Sequence, residues 1–205
     1  MGKAKLLLGT TNRGKVRELA EMLGDLDIEV TSLAELGPFA EVEETAATFA
    51  ENARLKASAY AKHFELPTLA DDSGFEVEAV NWRPGVHSAR YGGAAASTFA
   101  EKITLLLSEM ATSGRSTRVA RFKCAVALAS PDGSIIAETE GIVRGKVAEF
   151  PSGNNGFGYD PIFIPDGHSR TFAELSSGEK GRLSHRGRAL LQIIPYLRTF
   201  FGTLT

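Results

Sequence analysis

Residues 5–24, KLLLGTTNRGKVRELAEMLG, decide the fold class. Lys5 to Gly9 read as a short apolar strand and Thr10 to Gly14 as a polar turn. Val16, Leu19, Ala20 and Leu23 then recur at the spacing of an amphipathic helix that Gly24 stops. A second strand is expected at Ile28 to Leu33, and an acidic, irregular segment follows from Glu35 to Thr45. Thr48-x-x-Glu51 has the form of a capping box and opens an alanine-rich helix to about Phe64, ended by Pro67. Thr68 to Ala70 form a strand that runs into Asp71-Asp72-Ser73-Gly74, after which Phe75, Val77 and Ala79 alternate like a half-buried strand. Ser97 to Met110 read as a helix. Phe122 to Leu128 and Ile135 onward, joined at Pro131-Asp132-Gly133, read as a long antiparallel hairpin extended by a third strand near Ile142 to Val147. A short strand at Ile162 to Ile164 and a last helix from about Ser184 to Phe200 complete the chain. Helix and strand alternate first and a hairpin follows, which predicts an α/β protein, a three-layer α/β/α sandwich on a mixed sheet with a β-hairpin extension.

The chain has 205 residues, 43% hydrophobic and 23% charged, enough for one sizeable core, and we read residues 1–205 as a single domain. With 23 Lys+Arg against 25 Asp+Glu the formal charge is -2, so composition offers no basic field for nucleic acid or an anionic membrane and favours a small-molecule substrate. One cysteine, Cys124, excludes an internal disulfide and a multi-cysteine zinc site and suits a reducing compartment. The only apolar run near the N-terminus is Leu6 to Leu8, too short for a signal peptide, so a cytoplasmic, membrane-free protein is expected.

Five places carry candidate chemistry. The loop Gly9 to Lys15, between strand and helix, can turn backbone N–H groups toward an anion. It matches G-x-x-x-x-G-K, but Val16 stands where a P-loop needs a hydroxyl. Alternatively Asn12 and Gly14 only shape a turn and Lys15 is solvated. Lys56, seven residues after Phe49 and four before Tyr60, shares their face; it either snorkels to a rim or reaches a phosphate. Asp71 and Asp72, at a strand's carboxyl end, suit a hard, oxygen-seeking cation or else belong to a capped turn, and Glu43 and Glu44 are either further ligands or a solvated loop. In Ser152 to Pro161 two aromatics sit among glycines. Phe157 or Tyr159 can stack on a planar ligand while Asp160 accepts from ring N–H groups, or both rings fold inward. His185 and Arg186 at a helix start oppose its dipole and so point to an anion or carbonyl acceptor nearby, beside Lys180, or else the histidine is simply surface-exposed.

Six ordered motifs together resemble the inosine triphosphate pyrophosphatase family of non-standard purine nucleoside triphosphatases. They are Thr10 to Lys15, Thr48 to Ala53 with Lys56, Ala70 to Gly74, Pro84-Gly85 with Ser88 to Tyr91, Gly156 to Pro161, and Ser184 to Gly187. The resemblance implies hydrolysis of dITP, ITP or XTP to the monophosphate plus pyrophosphate, dependence on magnesium, a homodimer, and two lobes flanking a cleft. It implies metal ligation by Glu44 and Asp72, with Asp72 also taking the proton of the attacking water. Thr10, Thr11, Asn12, Arg13, Gly14, Lys15, Lys56, Ser73 and Lys180 match triphosphate and sugar contacts. Phe157, Gly158, Tyr159 and Asp160 match the base platform, and His185 and Arg186 the purine edge. The chain departs from the family pattern at Thr11 and Ala46, each in place of glycine, for which small backbone adjustments are expected. Two other readings compete: a P-loop NTPase or kinase, which would release orthophosphate or transfer the γ-phosphoryl group, and a binding module without turnover.

Overall fold

The computed structural model describes residues 3–37 and 39–202. Its strands are β1 (Ala4–Leu8), β2 (Ile28–Ser32), β3 (Thr68–Val77), β4 (Arg83–Pro84), β5 (Val119–Ala129), β6 (Ile135–Val147) and β7 (Phe163–Pro165); its helices are α1 (Arg13–Leu23), α2 (Phe49–Phe64), α3 (Phe99–Thr112), α4 (Ser177–Leu183) and α5 (His185–Gly202). They form a mixed sheet in the order β2-β1-β3-β5-β6-β7, with β4 on β3. β1 is parallel to β2 and to β3, whereas β4 on β3 and β7 on β6 are antiparallel.

The chain divides into two compact units, residues 1–72, 124–141 and 185–205 in the first and residues 73–123 and 142–184 in the second. In the first unit β1 alternates, and its side chains serve two layers. Leu6 and Leu8 pack with Leu19 and Leu23 of α1 and with Ala189, Leu190, Ile193 and Leu197 of α5. Leu7 points the other way, into a smaller cluster with Leu33, Tyr60 and Phe64. Helices therefore cover both faces of this sheet, the α/β/α layering that the alternation predicted. The second unit has its own core, in which Phe75, Val77, Phe122 and Val143 from strands meet Ile103, Leu106 and Met110 of α3.

Four boundaries differ from expectation. Asp71 to Gly74 form no turn, because β3 runs unbroken from Thr68 to Val77. The third strand near Ile142 is the continuation of β6, a single strand of 13 residues. Ile162 closes a 3-10 turn at Asp160–Ile162, and the strand begins at Phe163. Helix α4 was not anticipated, although its signal is present: Ser176 caps it by accepting from the Glu179 N–H, and Glu179 answers by accepting from the Ser176 N–H.

Candidate active site

In the first unit the chemistry gathers at three places that the fold brings together: the start of α1, one face of α2 and the middle of β3. Asn12 is the N-cap of α1, and its Oδ1 accepts from the N–H groups of Gly14 (2.9 Å) and Lys15 (3.2 Å). Those two donors, expected to face an anion, are thus taken within the loop. Thr11 turns its hydroxyl outward to donate to Glu41 Oε1 at 3.1 Å. Lys15 is not the solvated first-turn residue of the alternative reading, since its Nζ lies 3.1 Å from Asp71 Oδ2 with little of the side chain exposed.

Asp71 is the hub of a buried ion network. Besides Lys15, its Oδ2 accepts from Arg186 Nε (3.2 Å) and Nη2 (3.1 Å), and the Cys124 thiol lies 3.8 Å away. Arg186 Nη1 also donates to Glu18. Burial alone would raise the Asp71 carboxyl, but Lys15 and Arg186 outweigh it and hold the group far below the usual carboxylate range. The guanidinium, 1% exposed, is correspondingly held charged. The acceptors expected near the basic pair at the start of α5 are, for Arg186, carboxylates of the protein itself. His185 is buried beside it in sequence. Cys124 is a core residue, and burial pushes its thiol up.

Asp72, next along β3, has different surroundings. Its Oδ2 accepts from Asn52 Nδ2 at 3.0 Å, and its Oδ1 lies 3.6 Å from Lys56 Nζ. Lys56 also donates to Glu44 Oε1 at 2.6 Å, so one buried ammonium is shared by two carboxylates rather than snorkelling to a rim. Burial raises the Asp72 carboxyl, Lys56 and Lys15 partly oppose this, and the charge of Glu44 adds to it. Burial alone would lower the Lys56 ammonium, but Asp72, Asp71 and Glu44 raise it. Glu44 sits on a loop pinned to α2: the Val42 N–H donates to Tyr60 Oη at 3.1 Å and the Ala46 N–H to Asn52 Oδ1 at 3.0 Å. The sequence reading gave Asn52 no role of its own. Its signal was its place four residues before Lys56, one helical turn away on the face already read as special.

The donor set bears on the metal that the resemblance implies. Glu44 and Asp72 offer carboxylate oxygens only, both within reach of the single Lys56 ammonium. No cluster of three or more His, Cys, Asp or Glu able to hold a metal occurs among the described residues. Two carboxylates fit a magnesium ion that keeps water and takes further oxygens from a phosphate substrate, which is how that ion is usually held.

In the second unit Asp160 organises the glycine-rich loop. It is buried, and its Oδ2 accepts from the Phe157 N–H (2.8 Å) and from Lys180 Nζ (2.6 Å). Lys180 Nζ in turn lies 4.7 Å from the centroid of the Phe157 ring. Gly156 has φ +73, and a Cβ there would come within 2.1 Å of Asp160 Oδ2, so only glycine permits this turn. The expectation that Asp160 receives ring N–H groups is corrected to this extent: its Oδ2 is occupied in holding the loop. Tyr159 follows the inward alternative: it stacks on Phe75 at 5.2 Å and donates its hydroxyl to Ser88 O at 3.0 Å. Phe157, half-buried, is the aromatic that the loop presents. Trp82, to which the sequence assigned no partner, carries the Arg121 guanidinium 4.3 Å over its ring.

The chain is similar to a dITP/XTP pyrophosphatase of Syntrophobacter fumaroxidans, 47% identical over 193 residues, 94% of this chain and 82% of that protein. It is 43% identical to a dITP/XTP pyrophosphatase of Exiguobacterium sibiricum over 198 residues, 97% of this chain and 99% of that protein. A solved HAM1 protein from Coxiella burnetii superposes with a TM-score of 0.85 at 42% identity, covering 96% of this chain and 99% of that one. The model of the Ham1 family matches residues 6–196, and the chain belongs to that family.

Proposed function

We propose that the chain, working as one catalytic domain, hydrolyses non-standard purine nucleoside triphosphates (dITP, ITP and XTP) to the monophosphate and pyrophosphate. The observation that carries this is the pairing of Asp72 and Glu44 across Lys56, with Lys15 and Asp71 beside them: anions and cations interleaved as a triphosphate with its counter-ion requires. The dITP/XTP pyrophosphatase activity of relatives more than 40% identical over nearly the whole chain supports the same reading.

In this mechanism Lys56 and Lys15 meet the negative charge of the phosphates, with Thr10, Thr11, Arg13 and Ser73 as further contacts on a turn that Asn12 and Gly14 shape. Glu44 and Asp72 would hold a magnesium ion, which when bound supplies positive charge against the phosphate oxygens and makes water more acidic. Asp72 takes the proton of the water that attacks the α-phosphorus. Burial raises its carboxyl from the ordinary value, the direction that favours taking a proton. Phe157, Gly158 and Lys180 of the second unit are the proposed purine and sugar contacts, kept in shape by Asp160. His185 is the proposed donor to the 6-oxo group, and a 6-amino purine would set donor against donor there. Arg186 is proposed to act indirectly, by fixing Asp71 and through it Lys15.

The proposed protein is a homodimer, which sedimentation velocity tests, and resides in the cytoplasm. The structure adds only that no helix of the described residues is long and apolar enough to cross a membrane. The test of the activity is turnover of dITP, XTP, dATP and dGTP with magnesium. Pyrophosphate formed chiefly from dITP and XTP is the expected result. Orthophosphate with little base preference would instead restore the P-loop reading, and affinity without turnover the binding module.

A further inference from the structure

Asn52 is completely buried on α2, yet it is amide rather than apolar, and both ends of the amide are used. The Ala46 N–H can only donate, so the oxygen of Asn52 must face it and the NH2 group must face Asp72; the reversed amide would set N–H against N–H and oxygen against carboxylate. The side chain is therefore locked in one orientation by a loop on one side and a strand on the other. The loop carries Glu44, two residues from Ala46, and the strand carries Asp72. Lys56, one turn along the same helix, reaches these same two carboxylates. An amide bridge and an ammonium bridge thus run in parallel from α2 to Glu44's loop and to Asp72. The ammonium bridge is made of charges that a bound triphosphate also attracts, whereas the amide bridge is neutral and has no competing use.

We infer that Asn52 is a positioning residue for the hydrolytic step: it fixes the rotation of the Asp72 carboxylate by holding Oδ2, and sets the distance between Asp72 and the Glu44 loop by holding Ala46. This rests on the activity proposed above and deepens it. It assigns Asn52 to the chemical step and not to binding, because Lys15 and Lys56, which meet the phosphates, keep their own partners without it. The departure at Ala46 is accommodated by this arrangement, since the bridge uses the backbone N–H, which any residue but proline supplies.

The test compares Asn52→Leu, which removes both bonds at similar volume, and Asn52→Gln, which restores both groups on a longer stem, with the wild-type protein. Three quantities are measured: kcat and KM for dITP, the Kd of a dITP analogue with a non-hydrolysable α,β bridge by calorimetry with and without magnesium, and the thermal midpoint. The expected result for Asn52→Leu is a kcat at least tenfold lower with the analogue Kd changed by less than threefold, and partial recovery in Asn52→Gln. A lower thermal midpoint with kcat intact at temperatures where the variant is folded overturns the inference and leaves a structural tether. Equal losses in kcat and Kd overturn it in favour of a binding role. Should Asn52→Leu fail to fold, Asn52→Ser, smaller and polar, is read by the same criteria. Wild-type protein that releases no pyrophosphate defeats the activity itself, and with it this inference; an active wild type with an unaffected variant defeats the inference alone.

Discussion

Adjacent carboxylates on one strand have opposite fates here, and the partners explain why. Asp71 faces two fixed cations that outweigh its burial and is held charged; Asp72 is raised by burial and by the charge of Glu44, which a shared lysine, Lys15 and an amide only partly oppose. The difference is one of alternation, since successive side chains of β3 leave opposite faces of the sheet. Arg186→Ala should therefore be a stability variant first: it strips partners from buried Asp71 and from Glu18, and truncating one member of such a network costs about 3–5 kcal/mol. Urea denaturation measures this, and a loss below about 1 kcal/mol would show that Lys15 alone satisfies Asp71. Lys56→Met should lower kcat/KM for dITP by roughly 10²–10³-fold, the scale for removing one preorganised charged donor. Steady-state kinetics at saturating magnesium check it; a loss under tenfold contradicts the role given to Lys56.

At the scale of elements, caps decide where helices start and give a pH-dependent prediction. Thr98 caps α3 by accepting from the Glu101 N–H, and Glu101 Oε2 accepts from the Thr98 N–H (2.7 Å) and the Ser97 hydroxyl (2.8 Å). The hydrogen bonds from Thr98 and Ser97 lower the Glu101 carboxyl from 4.5 to about 2. A folded-state value below the unfolded one means that stability from Glu101 is present above pH 4.5 and is lost as pH falls toward 2. The stability difference between wild type and Glu101→Gln should accordingly be constant above pH 5 and shrink to nothing near pH 2; a difference that persists at pH 2 contradicts this origin. Periodicity and caps made α1, α2, α3 and α5 legible to within a residue or two, because each carries an apolar stripe and a stop signal. The run Asp71 to Gly74 misled as a turn because two aspartates, a serine and a glycine are turn formers locally. What overrides them is distant in sequence: Lys15, Lys56, Asn52 and Arg186 satisfy the carboxylates within a strand. For the same reason Tyr159 was read as a candidate platform, since its partners Phe75 and Ser88 lie 84 and 71 positions away and no local pattern announces them.

For the whole molecule, the resemblance in six short motifs and the Ham1 family match over residues 6–196 agree on the family; the buried ion network of Asp71 and Asp72 lies in the first unit and the aromatic loop in the second. Composition contributed only exclusions, as a formal charge of -2 and a lone buried cysteine name no substrate. The central claim is attack by water at the α-phosphorus with Asp72 as proton acceptor, and hydrolysis of dITP in 18O-labelled water tests it most directly. The label should enter dIMP and not pyrophosphate, and Asp72→Asn should abolish its incorporation. Label in pyrophosphate or orthophosphate would place the attack at another phosphorus and contradict the account.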